Sequence, residues 1–290
     1  MKSGFVAVVG RPNVGKSTLV NALVGEKVAI TSPRPQTTRR TIRGILDAED
    51  HQIVFVDTPG IHRPRTALGT RLNAVVESSL EEADAAVFVL DATGRIGPGD
   101  RLIAERLANA ETPVVCVVNK TDAASRNEVT ERLGVAGKWD FAAYVPVSAL
   151  EAENLQPVVD ELLALLPEGP KFFPPDISTD QTEEFMIGEI IREKFLARLR
   201  EELPHSLAVL VEDTEVRDDG LMRIRARLVV ERESQKGIVI GKGGEMIRDA
   251  GTEARHELEA RLGMPVHLDL TARVEKDWQS RPAMIERLGM

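Results

Sequence analysis

The sequence predicts an α/β domain with a mostly parallel sheet, followed by a smaller α+β domain. In the first part, short apolar runs alternate with segments at helical spacing, which is typical of a sheet covered by helices on both faces. In the second part the predicted order is helix, strand, strand, helix, helix, strand. A proline- and glycine-rich stretch at 167–178 interrupts all periodicity and predicts a semi-rigid connector. We therefore expect domains at 1–166 and 179–290.

The elements of the first domain follow from hydrophobic periodicity. Apolar runs predict strands at 5–9, 42–46, 53–56, 86–90, 114–118 and 144–147. Helical spacing predicts helices at 18–24, 67–79, 100–109, 125–133 and 155–166.

The second domain is predicted to begin with a helix that Asp180 caps, with Glu183 as its N3 partner. Two strands, 207–211 and 221–230, flank the turn sequence Asp218-Asp219-Gly220, which is typical of a hairpin. A short helix, a glycine-rich turn at 241–244, a helix to about 262, a strand near 265–270 and a last helical segment complete the domain.

Composition excludes several classes of protein. The chain has 290 residues and is 42% hydrophobic, enough to fill a core in each of two domains. Its one cysteine, Cys116, cannot form a disulfide within the chain, and its apolar surroundings predict an inert thiol. The five histidines lack zinc-site spacing. No run reaches transmembrane length, and the first strand leaves no room for a signal peptide, so we expect a soluble, cytoplasmic protein.

The charge balance limits the choice of partners. The formal net charge is −9, which is not typical of a general nucleic-acid binder. Any nucleic-acid site must therefore be a local basic patch on an acidic body.

The strongest motif is a phosphate-binding loop of the pattern G-x-x-x-x-G-K-[ST], lying between a predicted strand and a predicted helix. Its residues are Gly10, Arg11, Pro12, Asn13, Val14, Gly15, Lys16 and Ser17, followed by Thr18. Backbone N–H groups at a helix N-terminus bind anions. In this motif Lys16 reaches the β- and γ-phosphates and the Ser17 hydroxyl holds Mg²⁺. We expect the chain to bind a nucleoside triphosphate.

Guanine is indicated by Asn119-Lys120-Thr121-Asp122, which follows the strand 114–118. A carboxylate at Asp122 can accept hydrogen bonds from both N1–H and the N2 amine of guanine, whereas adenine offers neither donor in that arrangement. We expect Asn119 to brace the loop and the Lys120 stem to pack on the base. By itself this motif would also fit an ordinary solvated strand end.

Two further turns complete the expected site. Asp57, Thr58, Pro59 and Gly60 follow the strand 53–56, which places the Asp57 carboxylate near Mg²⁺ and the Gly60 amide near the γ-phosphate. Ser148, Ala149 and Leu150 follow the strand 144–147, where the Ala149 amide could meet the guanine carbonyl. Each turn is common in isolation.

Together these residues resemble a small GTPase of the translation-factor-related class. The resemblance implies that the segment between the phosphate loop and the second strand is a nucleotide-sensing segment with a Mg²⁺-ligating threonine. Thr37 and Thr38 are the candidates, and Thr38 is favoured. It implies catalytic roles for Lys16, Thr38 and Gly60. Ile61 stands where familiar members have a water-orienting glutamine, so we expect slow intrinsic hydrolysis. The neighbouring His62 is interpreted as an ordinary loop residue.

Asn13 carries two open interpretations. It resembles the phosphate-loop asparagine of GTPases that hold K⁺ beside the β- and γ-phosphates, where the added charge would assist hydrolysis. It would equally fit a side chain that only stabilises the turn.

The glycine-rich turn Gly241-Lys242-Gly243-Gly244, within its α-β-β-α-α-β order, resembles the G-x-x-G loop of a bacterial-type (type II) KH domain. Lys236 and Lys242 would supply charge for a single-stranded nucleic-acid backbone. Arg223, Arg225 and Arg227 alternate along one strand and share a face, which is either a basic surface or an ordinary solvated one. An ordinary helix–helix turn is the alternative for the loop.

Over essentially its whole length the chain resembles the Era family, the bacterial KH-domain GTPases of small-subunit assembly within the TrmE-Era-EngA-YihA-Septin-like group. Three segments show this resemblance most specifically. They are Gln36-Thr37-Thr38-Arg39, Glu189-Ile190-Ile191-Arg192-Glu193-Lys194 and the run from Val230 to Lys236. The resemblance implies GTP/GDP and Mg²⁺ as cofactors, and the 3′ end of small-subunit rRNA and the 30S subunit as partners. It also implies peripheral membrane contact, and we expect a monomer.

Two alternatives remain open. One is a tRNA-modification GTPase of the same potassium-linked group, although the last residues carry no cysteine of the kind that those proteins have. The other is a GTP-gated adaptor whose second domain binds a protein instead of RNA, which the acidic balance would suit.

Overall fold

The computed structural model describes residues 1–34, 37–60, 67–200 and 203–288. The chain divides into two compact units. The first comprises Met1–Ala29, Gln36–Arg65 and Gly69–Asp180, and the second comprises Ile30–Pro35, Thr66–Leu68 and Gln181–Met290. No helix in the described part of the chain is both long and apolar enough to cross a membrane.

The first unit contains a six-stranded sheet in the order β2-β3-β1-β4-β5-β6. The strands are β1 (Lys2–Val9), β2 (Ile42–Asp47), β3 (His51–Asp57), β4 (Ala85–Asp91), β5 (Val114–Asn119) and β6 (Ala143–Pro146). All neighbours pair in parallel except the edge strand β2, which is antiparallel to β3. The predicted, mostly parallel sheet is therefore confirmed, and each strand lies within three residues of its expected bounds.

Helices cover both faces of this sheet. They are α1 (Lys16–Val24), α2 (Ala67–Glu81), α3 (Pro98–Ala108), α4 (Arg126–Ala136) and α5 (Gln156–Leu165). One core cluster includes Phe55 and Leu162, and another includes Phe88 and Ile103. Cys116 is fully buried in the second of these clusters, and burial raises the pKa of its thiol to about 12. The thiol is therefore protonated and inert, as the sequence predicts.

The connector packs within the first unit. Gln52 is fully buried, and its Oε1 accepts hydrogen bonds from the backbone amides of Phe172 (2.7 Å) and Phe173 (2.9 Å). Further along, the Ile45 amide of β2 donates to Ser178 O (2.8 Å). The predicted connector at 167–178 is thus attached to the β2–β3 edge, and the first unit continues through Asp180.

The second unit confirms the expected helix and strand order, with one short helix added. Its elements are α6 (Glu183–Arg198), α7 (Leu203–Ser206), β7 (Ala208–Val216), β8 (Met222–Val230), α8 (Glu233–Ile240), α9 (Glu245–Leu262), β9 (Val266–Val274) and α10 (Pro282–Arg287). Its sheet has the order β7-β8-β9, antiparallel between β7 and β8 and parallel between β8 and β9. The predicted hairpin turn is present, with the Gly220 amide donating to Arg217 O (2.9 Å).

The expected cap of α6 is wrong. Thr182 is the N-cap, and its Oγ1 accepts a hydrogen bond from the Phe185 amide (3.3 Å). Asp180 instead forms an ion pair with Arg43 of β2 (2.7 Å). The physical reason is that a guanidinium distant in sequence captures the carboxylate, while a threonine two residues later is an adequate cap.

The core of the second unit lies between its helices and its sheet. The apolar face of α6 supplies Ile191 and Phe195, which are fully buried with Leu228 of β8 and Leu258 of α9. Trp278 is also fully buried and donates from Nε1 to Ser206 O (2.9 Å), which fixes the segment that precedes α10.

Gln52→Ala is expected to loosen the connector. The substitution leaves the Phe172 and Phe173 amides without an acceptor, and each such loss costs about 1–3 kcal/mol. Trypsin cleavage after Lys171 should therefore accelerate by roughly tenfold or more, since cleavage follows the population of the locally open form. Gln156→Ala is the matched control, because Gln156 makes one exposed bond to Asp160 on α5. Equal cleavage rates in the two variants would show that Gln52 does not hold the connector.

Candidate functional site

Residues 10–15 of the phosphate loop lie between β1 and α1, and Lys16 and Ser17 are the first two residues of α1, which is the expected order of strand, loop and helix. Lys16 begins α1 and is buried, and its Nζ donates to Gly10 O (3.3 Å) and Arg11 O (3.2 Å). Burial lowers the pKa of Lys16 to about 8, against the opposing attraction of Asp57. Lys16 thus lies at the N-terminus of α1, where the first backbone amides of a helix have no acceptor within the helix, and such a terminus binds phosphate.

Three oxygen-bearing side chains meet beside this loop. Ser17 Oγ donates to Asp57 Oδ2 (2.6 Å) and lies 3.0 Å from Thr38 Oγ1, which itself donates to Asp57 Oδ2 (3.3 Å). Among the described residues, Asp57 Oδ1 is buried without a hydrogen-bond partner. Burial raises the pKa of Asp57, although Lys16, Ser17 and Thr38 oppose that effect. Two hydroxyl oxygens and a carboxylate oxygen without a hydrogen-bond partner are the kind of metal ligands that Mg²⁺ prefers.

The turn after β3 touches the phosphate loop directly. Thr58 is fully buried, and its Oγ1 donates to Val8 O (2.8 Å). A Cβ atom at Gly60 would lie 2.7 Å from Pro12 N, closer than side chains approach backbone. Only glycine therefore lets residues 57–60 pass this close to the loop.

Asn119 joins two parts of the expected guanine site. Its Nδ2 donates to Val14 O in the phosphate loop (2.9 Å), and its Oδ1 accepts from the Ala149 amide (3.0 Å). The expected contact of the Ala149 amide with the guanine carbonyl stays a prediction; in the described structure this amide donates to Asn119. The Ser148 hydroxyl donates to Asp122 Oδ1 (2.6 Å) and so orients the expected base selector.

The ammonium group of Lys120 has two hydrogen-bond acceptors. Its Nζ donates to Asn13 O (2.7 Å) and to Asp91 Oδ2 (2.5 Å). Partial burial raises the pKa of Asp91, but bonds from Lys120 and Thr93 outweigh it and hold the pKa below its usual value. The sequence analysis missed Asp91. The available signal was its place at the end of β4, which matches Asp57 at the end of β3.

The sequence analysis also missed Asp100, which binds Arg11 of the phosphate loop. Arg11 Nε donates to Asp100 Oδ1 (2.7 Å), and Asp100 is buried at the start of α3. The other oxygen, Oδ2, accepts from the Gly97 amide (2.8 Å). The outer part of the phosphate loop is therefore attached to α3.

The G-x-x-G turn lies between α8 and α9, as expected. A Cβ atom at Gly241 (φ 78°) would lie 2.7 Å from Met246 N, so a larger residue is excluded there. A Cβ atom at Gly243 or at Gly244 would have no heavy atom within 4 Å. Lys242 is exposed beside them. The turn thus presents open backbone and one cation to a ligand.

The arginine face of β8 is largely neutralised. Arg225 pairs with Asp213 (2.6 Å) and Arg227 pairs with Glu212. Ile224 is buried on the opposite face, as the alternation predicts. These pairs favour the interpretation of a solvated face over a general basic surface.

Three residues of the sequence argument, Gln36, Ile61 and His62, lie outside the described residues.

Comparison with known proteins gives consistent matches. A family model described as "50S ribosome-binding GTPase" matches residues 5–120, and one described as "KH domain" matches residues 202–279. The GTPase Era of Mycolicibacterium paratuberculosis is 50% identical over 294 residues, covering 99% of this chain and 98% of that protein. That of Streptomyces coelicolor is 48% identical over 304 residues, covering 99% and 95%.

Two solved structures match equally well. An Era variant of Aquifex aeolicus bound to GDP and AlF4⁻ is 40% identical, with a TM-score of 0.95, and covers 100% of this chain and 99% of that one. An Era complex with MgGDPNP and nucleotides 1506–1542 of 16S ribosomal RNA gives the same identity, TM-score and coverage.

The fold and the phosphate loop define a P-loop GTPase whose second domain is a KH domain. Relatives at about half identity extend over nearly the full length of the chain. The chain belongs to the Era family of GTPases.

Asp122→Asn is expected to convert the base preference from guanine to xanthine. The amide would face the guanine N2 donor with a donor of its own, whereas the C2 carbonyl of xanthine would accept from it. We expect GDP affinity to fall roughly 100-fold or more and XDP affinity to rise, measured by displacement of a fluorescent nucleotide.

Asp140→Asn provides the control for that substitution, because Asp140 is exposed in the same unit. If Asp122→Asn binds GDP as well as the unmodified chain does, Asp122 is not the base selector.

Proposed function

We propose that this chain is a GTP-controlled switch that binds the single-stranded 3′ end of small-subunit rRNA and assists maturation of the 30S subunit. The observation that carries the proposal is the open Gly241–Gly244 turn in the KH domain. Support comes from the Era complex with MgGDPNP and 16S RNA nucleotides 1506–1542, which this chain matches over its whole length.

The chemistry of the turn suits a short single strand. Glycines at 243 and 244 leave room for phosphates to approach the backbone, and Lys236 and Lys242 supply charge. The rest of the chain disfavours general polyanion binding, since the formal net charge is −9. Aromatic residues make up only 4% of the chain, which disfavours broad stacking platforms.

Mg²⁺ fits the cluster of Ser17, Thr38 and Asp57, where a buried carboxylate oxygen lacks a partner within the described chain. When bound, the ion would supply positive charge to the β- and γ-phosphates. Lys16 would bind the same phosphates, and the Gly60 amide would approach the γ-phosphate. Thr38 is the proposed sensor, because its hydroxyl already contacts both other members of the cluster.

K⁺ is the finer part of the proposal. Asn13 is exposed in the phosphate loop with φ 65°, and its carbonyl is held by Lys120. An ion beside this residue would add charge where negative charge develops during hydrolysis. Peripheral membrane contact stays an expectation of the family resemblance, and the monomeric state stays a prediction.

RNA binding is expected to depend on Gly243 and on the nucleotide. A fragment of the small-subunit rRNA 3′ end should bind more tightly with GDPNP than with GDP. Gly243→Asp should weaken that binding roughly tenfold or more, because a carboxylate would face the RNA phosphates. The measurement is fluorescence anisotropy across a salt series, in which affinity should fall as salt rises.

Gly220→Asp is the matched control for the RNA experiment. Gly220 also has a positive φ (77°) and open surroundings, but it lies in the β7–β8 turn. Aspartate tolerates this backbone region better than most residues, so both variants should fold. Equal RNA affinity in both variants would mean that the turn is a plain helix connection and would favour the protein-adaptor alternative.

GTP hydrolysis is expected to run faster in KCl than in NaCl at equal ionic strength, by roughly tenfold. In Asn13→Gly, which accepts φ 65° without strain, the ratio of the two rates should fall to one. Single-turnover hydrolysis measures both rates. Equal rates in the unmodified chain would remove K⁺ from the proposal.

A further inference from the structure

A single asparagine in α1 holds the backbone of the loop that follows this helix. Asn21 Oδ1 accepts hydrogen bonds from the amides of Val28 (2.9 Å) and Ala29 (2.9 Å). Its Nδ2 donates to Ala29 O (2.7 Å). One side chain thus satisfies three backbone groups on two consecutive residues.

Those two residues stand where the chain leaves the first unit. Val28 and Ala29 are buried, and the first unit stops at Ala29 and resumes at Gln36. Thr38 follows closely and is held by Ser17 and Asp57. The nucleotide-sensing segment therefore has two attachments to the first unit: Asn21 holds residues 28 and 29 near its start, and the oxygen cluster holds its Thr38.

The same helix supplies both attachments. Ser17 and Asn21 are four residues apart on α1, so their side chains project from adjacent turns of one face. Only the attachment at Ser17 consists of groups that would meet Mg²⁺. The three bonds of Asn21 go to backbone groups and involve none of the groups proposed to meet Mg²⁺.

We propose that Asn21 is a positioning residue that fixes the first end of the nucleotide-sensing segment, so that Thr38 reaches its place when GTP binds. The proposal rests on the sensing role proposed above for Thr38. Without the anchor, residues 28 and 29 gain conformational freedom, and that freedom must be lost again when Thr38 is ordered. GDP makes no such demand on Thr38, because its phosphates meet the phosphate loop and its base meets residues 119–122.

The test compares two nucleotides on the full-length chain. In Asn21→Ala, the affinity for fluorescent GDPNP should fall about tenfold, while the affinity for fluorescent GDP should change less than twofold. Single-turnover GTP hydrolysis should slow in parallel with GDPNP affinity. Asn21→Asp, which keeps the acceptor and loses the donor to Ala29 O, should give an intermediate loss and carries the test if the alanine variant does not fold.

Two further variants separate positioning from general stability. In a Thr38→Ala background, Asn21→Ala should cause no additional loss of GDPNP affinity, because the anchor acts through Thr38. Asn109→Ala is the control, since Asn109 makes a similar side-chain bond to Glu105 O (2.8 Å) on α3. It should leave both affinities unchanged.

Three results would each overturn the proposal. They are equal losses of GDP and GDPNP affinity in Asn21→Ala, unchanged affinities in both Asn21→Ala and Asn21→Asp, and additive losses when Asn21→Ala is combined with Thr38→Ala. None of these measurements uses RNA. A failure of rRNA binding would therefore leave the role of Asn21 standing. If Thr38→Ala alone leaves GDPNP affinity intact, the sensing role of Thr38 fails and the proposal for Asn21 fails with it.

Discussion

Parallel pairing of β1, β3, β4 and β5 is the constraint on which the nucleotide site depends. Val8 pairs with Asp57 across β1 and β3, and Asp91 pairs with Asn119 across β4 and β5. Because these strands run in one direction, their carboxyl ends and polar last residues meet at one edge. A shift of one residue in either pairing would turn these side chains to the opposite face of the sheet. The apolar strands thus set both the core and the position of the chemistry.

Two buried groups of opposite charge, Lys16 and Asp57, lie at this edge. Lys16 and Asp57 are both buried, and burial lowers the pKa of the lysine and raises that of the carboxyl group. Buried charges are costly unless they are paired and hydrogen-bonded. The hydroxyls of Ser17 and Thr38 satisfy one oxygen of Asp57, and a cation would satisfy the other. The site therefore combines tight packing with an electrostatic demand that a metal–nucleotide complex would meet.

The second unit contains the proposed RNA site, although the chain as a whole is acidic. Acidic neighbours neutralise Arg225 and Arg227 on the sheet, while the glycines at 243 and 244 leave their backbone open beside Lys242. The RNA site proposed for this turn is therefore a local one, since long-range attraction of a polyanion is weak for a chain of net charge −9.

The sequence by itself determined the order of elements, the mostly parallel sheet and the motifs around Lys16, Asp57 and Asp122, because periodicity and motif spacing are local properties of the chain. Only the tertiary structure decided features that depend on partners distant in sequence. Arg43 captured Asp180 and left the cap of α6 to Thr182, Asn119 took the amide of Ala149, and Asp91 bound Lys120. The connector likewise joined the first unit because Gln52 satisfied its amides. Long-range hydrogen bonds compete with local preferences, and their outcome is fixed only when folding brings the competing groups together.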